Sequence, residues 1–269
     1  MMPDDIDRAF PVVEIFGPTI QGEGPDVGTP CHFVRFGGCD YRCGYAKNER
    51  GRWESEPTGN FVCDSLHAVL PEEVRKARRL TTTQILDELA KLHGDPRYVV
   101  LSGGNPAMHE LGMLVTELHI ADWRVSIETQ GSLWKPWMSA LDTVVVSPKP
   151  PASRQAFSFE ALSRFLKSAS AKSALEHRRP LLTSRPKLAL KVPIFDDKDL
   201  AFADSIKLRY PTIPMFLSIT NDWQKPNTRE ELLERYAWVA KTAQEYPNLT
   251  TAPVLPQLHV LVYGNDRGR

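Results

Sequence analysis

Three cysteines have the residue type and spacing to hold a metal centre. Cys39 and Cys43 are separated by three residues in a glycine-flanked loop, and Cys63 follows Cys43 after 20 positions. Thiolates bind soft metals, and a loop can bring three of them to one centre. Four thiolates fill the four irons of a 4Fe-4S cluster. Three would leave one iron open to a small molecule, which a catalytic cluster needs.

Two other interpretations fit the same cysteines. Together with His67, the three thiols would make a Cys₃His zinc site, and spacing alone does not separate zinc from iron–sulfur. Unrelated thiols are a further alternative, because free cysteine is often simply buried. Cys31 lies at the start of a predicted strand, so we expect it to be a small buried residue and not a ligand.

Short apolar runs and amphipathic stretches alternate along the chain around these cysteines. The apolar runs predict strands at residues 11–16, 32–36, 98–102, 124–128, 143–147, 188–195 and 213–220. The amphipathic stretches predict helices at residues 82–93, 107–120, 159–170, 197–208 and 228–246, with a strand or extended tail at 258–263. This alternation predicts an α/β fold of parallel βαβ units, either a whole or partial (β/α) barrel or a doubly wound sheet.

Polar or glycine-rich clusters follow five of the predicted strands. They are Cys39 and its loop, Gly103-Gly104-Asn105-Pro106, Glu128-Thr129-Gln130-Gly131, Ser147-Pro148-Lys149 and Thr220-Asn221-Asp222. In α/β folds the working residues lie beyond the carboxyl ends of the strands. The five clusters therefore predict the rim of a single site.

Composition restricts the class of protein. Among 269 residues there are 33 Lys plus Arg and 33 Asp plus Glu, so the formal net charge is zero and predicts no bulk attraction to nucleic acid or membranes. No apolar run reaches the length that predicts a membrane-spanning helix, and the acidic start at 1–10 is unlike a signal peptide. We therefore expect a single domain over 1–269 in the reducing cytoplasm, without disulfides.

Several motifs together resemble one enzyme family. They are EIFGPTIQGEG at 14–24, FVRFGGCDYRC at 33–43, CDS at 63–65, SGGNP at 102–106, ETQG at 128–131, SPKPP at 147–151 and LPQLH at 255–259. This combination resembles the 7-carboxy-7-deazaguanine synthases, radical S-adenosylmethionine (SAM) enzymes of queuosine and 7-deazapurine biosynthesis. The resemblance implies a partial (β/α) barrel of the radical SAM type, with parallel strands and outer helices.

The cluster loop departs from the family pattern. The family spaces its cysteines by three residues and then two, whereas the whole segment 44–62 separates Cys43 from Cys63 here, so the loop is much longer. Ala46 stands where plain counting would place the third cysteine, but the Cys-Asp-Ser motif begins at Cys63. The resemblance therefore implies Cys63 as the third ligand and the segment 47–61 as an insertion.

The resemblance also implies an activity and its cofactors. The activity is a ring-contracting lyase that converts 6-carboxy-5,6,7,8-tetrahydropterin to 7-carboxy-7-deazaguanine with loss of ammonia. Its cofactors are a 4Fe-4S cluster, SAM and Mg²⁺, and its partners a reducing electron donor such as a flavodoxin and a second copy in a homodimer. A different radical SAM activity, such as that of a glycyl-radical activase, is an alternative. The motifs at 21–23 and 147–151 argue against it.

Residue roles follow from the same resemblance, and none is catalytic beyond the cofactor ligands. The implied cluster ligands are Cys39, Cys43 and Cys63, and the implied magnesium ligand is Ser65. The implied SAM-binding residues are Gly104, Asn105, Glu128, Gln130, Ser147, Pro148 and Lys149. The implied substrate-binding residues are Ile20, Gln21, Gly22, Glu23, Arg35 and Ser102. Gln257 and His259 lie in a C-terminal segment that also resembles the family. Asn105 replaces a glutamate of many radical SAM enzymes, so a neutral oxygen would face the SAM ammonium.

Overall fold

The computed structural model describes residues 8–47, 53–55, 63–94, 96–171, 185–221, 227–264 and 266–268. Most of the predicted insertion, at 48–52 and 56–61, lies outside these ranges, as does Asp222. Within the described part, no helix combines the length and apolar character that a bilayer span requires.

Eleven strands are found among the described residues. They are β1 (Phe10–Ile20), β2 (Pro30–Phe36), β3 (Tyr45–Lys47), β4 (Trp53–Ser55), β5 (Arg78–Leu80), β6 (Tyr98–Gly103), β7 (Arg124–Thr129), β8 (Thr143–Val146), β9 (Lys187–Ile194), β10 (Met215–Ile219) and β11 (Val254–Leu255). Nine form one open sheet in the order β11-β10-β9-β8-β7-β6-β2-β1-β5, and β3 pairs only with β4. Neighbouring strands run parallel throughout the series β11-β10-β9-β8-β7-β6-β2. At the edge beyond β2, β1 pairs antiparallel with β2, and β5 pairs antiparallel with β1.

Eight α-helices connect or flank these strands in the described chain. They are α1 (Leu66–Val69), α2 (Pro71–Lys76), α3 (Thr82–Ala90), α4 (Gly112–Ile120), α5 (Phe159–Ser170), α6 (Asp197–Arg209), α7 (Arg229–Thr242) and α8 (Leu258–Tyr263). Capping boxes start three of them, at Thr81, Asp196 and Thr228, where a side-chain oxygen accepts an otherwise unpaired backbone N–H. The predicted α/β fold with parallel strands and outer helices is confirmed.

The two faces of the sheet have different chemistry because successive strand residues point to opposite sides. Leu101, Ile127 and Leu190 are fully buried in the large core that the sheet shares with the helices. Their sequence neighbours Ser102, Glu128 and Lys191 line a cavity instead. Apolar residues at alternate strand positions therefore pack against the helices on one face of the sheet. The polar residues between them face the cavity on the other, concave face.

Two predicted elements differ from the structure. The predicted helix at 107–120 is a 3₁₀ turn at Pro106–Met108 followed by α4, because the Asn105 side chain accepts the Ala107 N–H and closes a separate short turn. The segment 258–263 is the helix α8 and not a strand, although its sequence is rich in β-branched residues. Tertiary contacts override that propensity: the Leu258 N–H donates to Gly22 O, and Val260 enters the core.

Candidate active site

One cavity opens at the carboxyl ends of the parallel strands, and it gathers residues from every predicted cluster. The predicted residues that line it are Ile20, Gln21, Glu23, Arg35, Cys39, Cys43, Cys63, Ser65, Ser102, Gly104, Glu128, Gln130, Ser147, Lys149, Gln257 and His259. Three predicted residues stand behind this lining: Gly22, Asn105 and Pro148. The structure therefore brings the residues of the predicted rim together around one cavity.

The distance in sequence between Cys43 and Cys63 is closed by the backbone. The Cys63 N–H donates to Cys43 O at 3.2 Å. Between them β3 pairs antiparallel with β4, so the chain returns beside its starting point. Closing a longer loop costs only logarithmically more entropy, so such an excursion is tolerated. Cys63 therefore stands beside Cys43 despite the long separation.

Burial disfavours the thiolate form of Cys43 and Cys63. Burial raises the pKa of Cys43 to about 11 and raises that of Cys63 well above its usual value, so unliganded thiols would stay protonated. A metal centre supplies the positive charge that stabilises thiolates in such a place. The alternative zinc set would need His67, whose Nε2 instead lies 3.5 Å from Glu14 Oε1. The pairing of His67 with Glu14 therefore argues against the Cys₃His zinc site.

Cys31 belongs to a different part of the concave face. It is fully buried against Tyr98 and Val100, below the cavity lining. Burial, and then the charges of Glu128 and Asp26, raise the pKa of its thiol to about 12. Cys31 is the buried residue that its position in the sequence predicted.

Gly103 and Gly104 allow the end of β6 to pass directly against the cluster loop. Gly103 has a φ of +125°, and a Cβ there would lie 2.0 Å from Phe36 O. A Cβ on Gly104 would lie 2.1 Å from Gly38 O, one residue before Cys39. Only glycine permits this approach. The glycine pair therefore positions the cluster loop, a protein contact that the sequence did not reveal.

Asn105 anchors the cluster loop from inside the wall. Its Nδ2 donates to Asp40 Oδ1 at 2.8 Å, and its Oδ1 accepts from the Thr129 hydroxyl at 2.9 Å and from the Ala107 N–H. Gln130 Nε2 donates to the same Asp40 oxygen at 2.5 Å. These bonds tie the loop between Cys39 and Cys43 to the ends of β6 and β7.

The loop after β8 also contacts the cluster loop. Lys149 Nζ donates to Ser147 Oγ at 3.2 Å, and Gly44 N–H donates to Ser153 O at 3.1 Å. The buried carboxylate of Asp199, on α6, accepts the Ala152 N–H at 3.1 Å. The first turn of α6 therefore fixes the position of the loop that carries Lys149.

A second polar cluster in the cavity lining is centred on Arg35. Its Nε donates to Glu14 Oε1 at 2.5 Å, and its Nη1 donates to Ser65 Oγ at 3.5 Å. Burial raises the pKa of Glu14, but the hydrogen bond from His67 and the charge of Arg35 outweigh it and keep that pKa below its usual value. Glu14 was not predicted as a site residue, although it lies two residues before Phe16 on β1, on the cavity face.

We expect Glu14→Gln to disorder Arg35 without removing it. The amide retains the size of the carboxylate but not its charge, so the charge-assisted bond to Arg35 weakens. The family resemblance implies that Arg35 binds the substrate, so KM for the substrate should rise about 10-fold, with kcat changed less. Steady-state kinetics would measure this. Glu73→Gln, which removes an exposed carboxylate paired with Lys76, is the matched control and should change neither parameter. A fall in kcat alone would contradict the positioning role.

Another part of the cavity wall carries paired charges. Lys191 Nζ lies 2.8 Å from Glu23 Oε2 and 3.7 Å from Glu128 Oε1. Gln21 Nε2 donates to Glu128 Oε1 at 3.1 Å, and Ser218 Oγ donates to Glu23 Oε1 at 2.5 Å. Lys191 and Ser218 were not predicted, although a lone lysine in the apolar run LALKVPI was a usable signal.

Two buried polar atoms in the cavity lining lack a hydrogen-bond partner among the described residues. They are Ser102 Oγ and Gln257 Oε1. A buried polar atom without a partner costs about 1–3 kcal/mol. A polar ligand in this cavity would satisfy both atoms.

Comparison with known proteins gives long matches of high coverage. The chain is 36% identical over 265 residues to a 7-carboxy-7-deazaguanine synthase of Bacillus cereus, covering 96% of this chain and 98% of the relative. It is 37% identical over 268 residues to a 7-carboxy-7-deazaguanine synthase of Bacillus subtilis, covering 97% and 99%. No family model matches. The crystal structure of QueE from Escherichia coli is similar in fold, with a TM-score of 0.59 and 22% identity over 93% of this chain and 95% of that one.

Proposed function

The chain belongs to the 7-carboxy-7-deazaguanine synthase family, and from that membership we propose which residues of the cavity bind each component of the reaction. The protein is a radical SAM lyase that uses a 4Fe-4S cluster, SAM and Mg²⁺. It converts 6-carboxy-5,6,7,8-tetrahydropterin to 7-carboxy-7-deazaguanine with loss of ammonia. The observation that carries the residue assignments is the convergence of three cysteines and the strand-end clusters on one cavity.

Cys39, Cys43 and Cys63 hold the cluster in this proposal. When bound there, the cluster and SAM would supply the radical chemistry that removes a hydrogen atom from the substrate. The chain's own contribution is position: Gly104 brings the backbone close, and Asn105 holds the loop through Asp40. The other residues proposed to surround SAM are Glu128, Gln130, Ser147, Pro148 and Lys149.

Arg35 binds the substrate carboxylate, because a guanidinium can donate two parallel hydrogen bonds to it. Ser65 stands 3.5 Å from Arg35 and supplies a hydroxyl ligand to Mg²⁺, a cation that binds oxygen. Ser102 donates its unpartnered hydroxyl to the same end of the substrate. Substrate carboxylate and metal are thereby held at one side of the cavity.

Glu23 binds the other end of the substrate, the aminopyrimidinone edge, whose adjacent N–H groups match a carboxylate. Gln21 supports it, since its Oε1 accepts the Glu23 N–H at 3.2 Å. Ile20 offers apolar surface to the ring. Gly22 makes room for His259, whose Nδ1 would lie 1.9 Å from a Cβ at that position.

The remaining features of the proposal concern the whole protein. We propose a single domain over 1–269 with an insertion at 47–61, a cytoplasmic location, a homodimer and a reducing electron donor such as a flavodoxin. The support is the family membership. The balanced charge of the chain is consistent with a small-molecule substrate.

The assay that tests the function uses anaerobically reconstituted enzyme with SAM, a reductant, Mg²⁺ and the carboxypterin. We expect 7-carboxy-7-deazaguanine to accumulate, measured by its mass and ultraviolet spectrum. Cleavage of SAM to 5′-deoxyadenosine without this product would indicate a radical SAM enzyme that acts on a different substrate.

A further inference from the structure

The wall that faces the proposed pterin edge contains more charge than one substrate contact needs. Glu23 and Glu128 lie on either side of a single ammonium, that of Lys191. All three side chains are largely buried, with exposures of 13%, 22% and 11%. Two carboxylates this close in a buried wall oppose each other's ionisation unless a cation lies between them.

Resting on the proposed function, we propose that Lys191 is the positioning residue of the substrate-binding wall. Its ammonium holds Glu23 and Glu128 together as carboxylates, with Glu23 oriented to accept the two N–H groups of the substrate's aminopyrimidinone edge. Lys191 itself makes no contact with the reacting atoms. It acts through Glu23.

The contacts leave Glu23 able to bind. Lys191 donates to Oε2 and Ser218 donates to Oε1, so each carboxylate oxygen has one bond from the protein. A carboxylate oxygen has two lone-pair sites, and the second on each oxygen stays available. Bonds from two different strands, β9 and β10, also prevent rotation of the group. Glu23 is therefore presented to the cavity in one orientation.

Lys191 also accounts for the charge state of Glu23. Burial alone would raise the pKa of Glu23, but the charge of Lys191, then that of His259, holds that pKa well below its usual range. Burial alone would lower the pKa of Lys191, but the charges of Glu128 and Glu23 outweigh it and raise that pKa. Below neutral pH the wild-type wall thus keeps its acceptor, whereas a protonated Glu23 would turn an O–H toward the substrate's N–H groups.

The test compares kcat/KM for the carboxypterin between pH 6 and 9 in wild type, Lys191→Met and Lys191→Arg. Without the ammonium, the two carboxylates titrate as a pair and hold a proton at neutral pH. We expect Lys191→Met to move the acid limb of the profile upward by at least about one pH unit. The loss should be about 100-fold near pH 6.5 and about 10-fold near pH 9. Lys191→Arg retains the charge and should keep the wild-type limb.

A double variant separates this role from a structural ion pair. Removing Glu128 as well, in Lys191→Met with Glu128→Gln, takes away the like charge and should move the limb back toward wild type. His259 stays in every variant, and so does Asp64, which faces Lys191 from the cluster loop, so their charges are common to all profiles. Lys187→Met, at the exposed start of the same strand, is the matched control and should leave the profile unchanged.

Two further measurements separate the proposed role of Lys191 from a general loss of folding or of cofactor binding. In every variant, kcat/KM for the carboxypterin is divided by the rate of SAM cleavage without pterin, so that a change in the fold, in the cofactors or at Glu128 cancels from the comparison. Should Lys191→Met be insoluble, Lys191→Gln removes the charge with less apolar character and should show the same shifted limb. A uniform loss across pH in the charge-removing variants, or no loss, overturns the positioning role. Absence of 7-carboxy-7-deazaguanine from wild type would instead overturn the substrate assignment.

Discussion

Cys63→Ala is expected to abolish the cluster and with it all SAM cleavage. Three thiolates hold the cluster in our proposal, and a methyl group in place of one leaves an iron without a protein ligand. The reconstituted variant should lose the broad visible absorbance that bleaches on reduction, and 5′-deoxyadenosine should fall below detection. Iron and sulfide analysis with the absorbance spectrum measures the first effect, and chromatography the second.

Cys31→Ala is the matched control for this prediction. Cys31 is also a buried thiol, but it packs against Tyr98 and Val100 below the cavity. Its removal deletes one buried sulfur and should lower stability by about 1–2 kcal/mol while leaving the cluster spectrum intact. Retention of the cluster in Cys63→Ala, together with its loss in Cys31→Ala, would show that the third ligand was assigned to the wrong cysteine.

Arg35→Met is expected to cost roughly 10²–10³-fold in kcat/KM for the carboxypterin. Truncating one partner of a desolvated, charge-assisted pair typically costs about 2–5 kcal/mol, partly because the remaining partners lose their bonds. Here both the substrate carboxylate and Glu14 would lose the guanidinium. Steady-state kinetics measures the loss, and SAM cleavage in the absence of pterin should persist.

Arg35→Lys distinguishes the geometry of the contact from its charge. Lysine keeps the positive charge but lacks the fork that donates two parallel hydrogen bonds, so it should recover only part of the activity and remain about 10-fold below wild type. Full recovery by lysine would mean that charge alone matters. An unchanged kcat/KM in Arg35→Met would place the carboxylate elsewhere in the cavity.

These variants act on residues that the sequence predicted to different degrees. The spacing of Cys39 and Cys43 indicated a metal site but left zinc and unrelated thiols as alternatives, and the family motif favoured the iron–sulfur cluster. The location of Cys63 required the family motif, since plain counting pointed to Ala46. The hydrogen bond from Cys63 N–H to Cys43 O explains how the excursion returns. Only the tertiary structure could show this contact between the two ends of the excursion.

Local pattern was enough for the elements whose own residues specify them. The helix predicted at 159–170 is α5 with the same bounds, because its apolar stripe and the Ser158 cap are both local signals. The segment 258–263 was misjudged because its β-branched residues favour a strand in isolation. Packing against Gly22 and the core makes it a helix, and Gly22 lies near the opposite end of the sequence.

By itself, the sequence determined the α/β class, the family and the rim of one site, because alternating elements and strand-end motifs are local features. Tertiary structure alone decided how side chains on that rim are paired. Lys191 meets Glu23 across 168 positions, and Arg35 meets Glu14 across 21. Such pairs carry no local signal, since a lysine in an apolar strand looks the same with or without its carboxylate. The antiparallel register of β1 and β2 places Glu14 opposite Arg35, and the loop after β1 brings Glu23 to Lys191 on β9. The low polarity of the buried wall makes the pairing of these charges necessary.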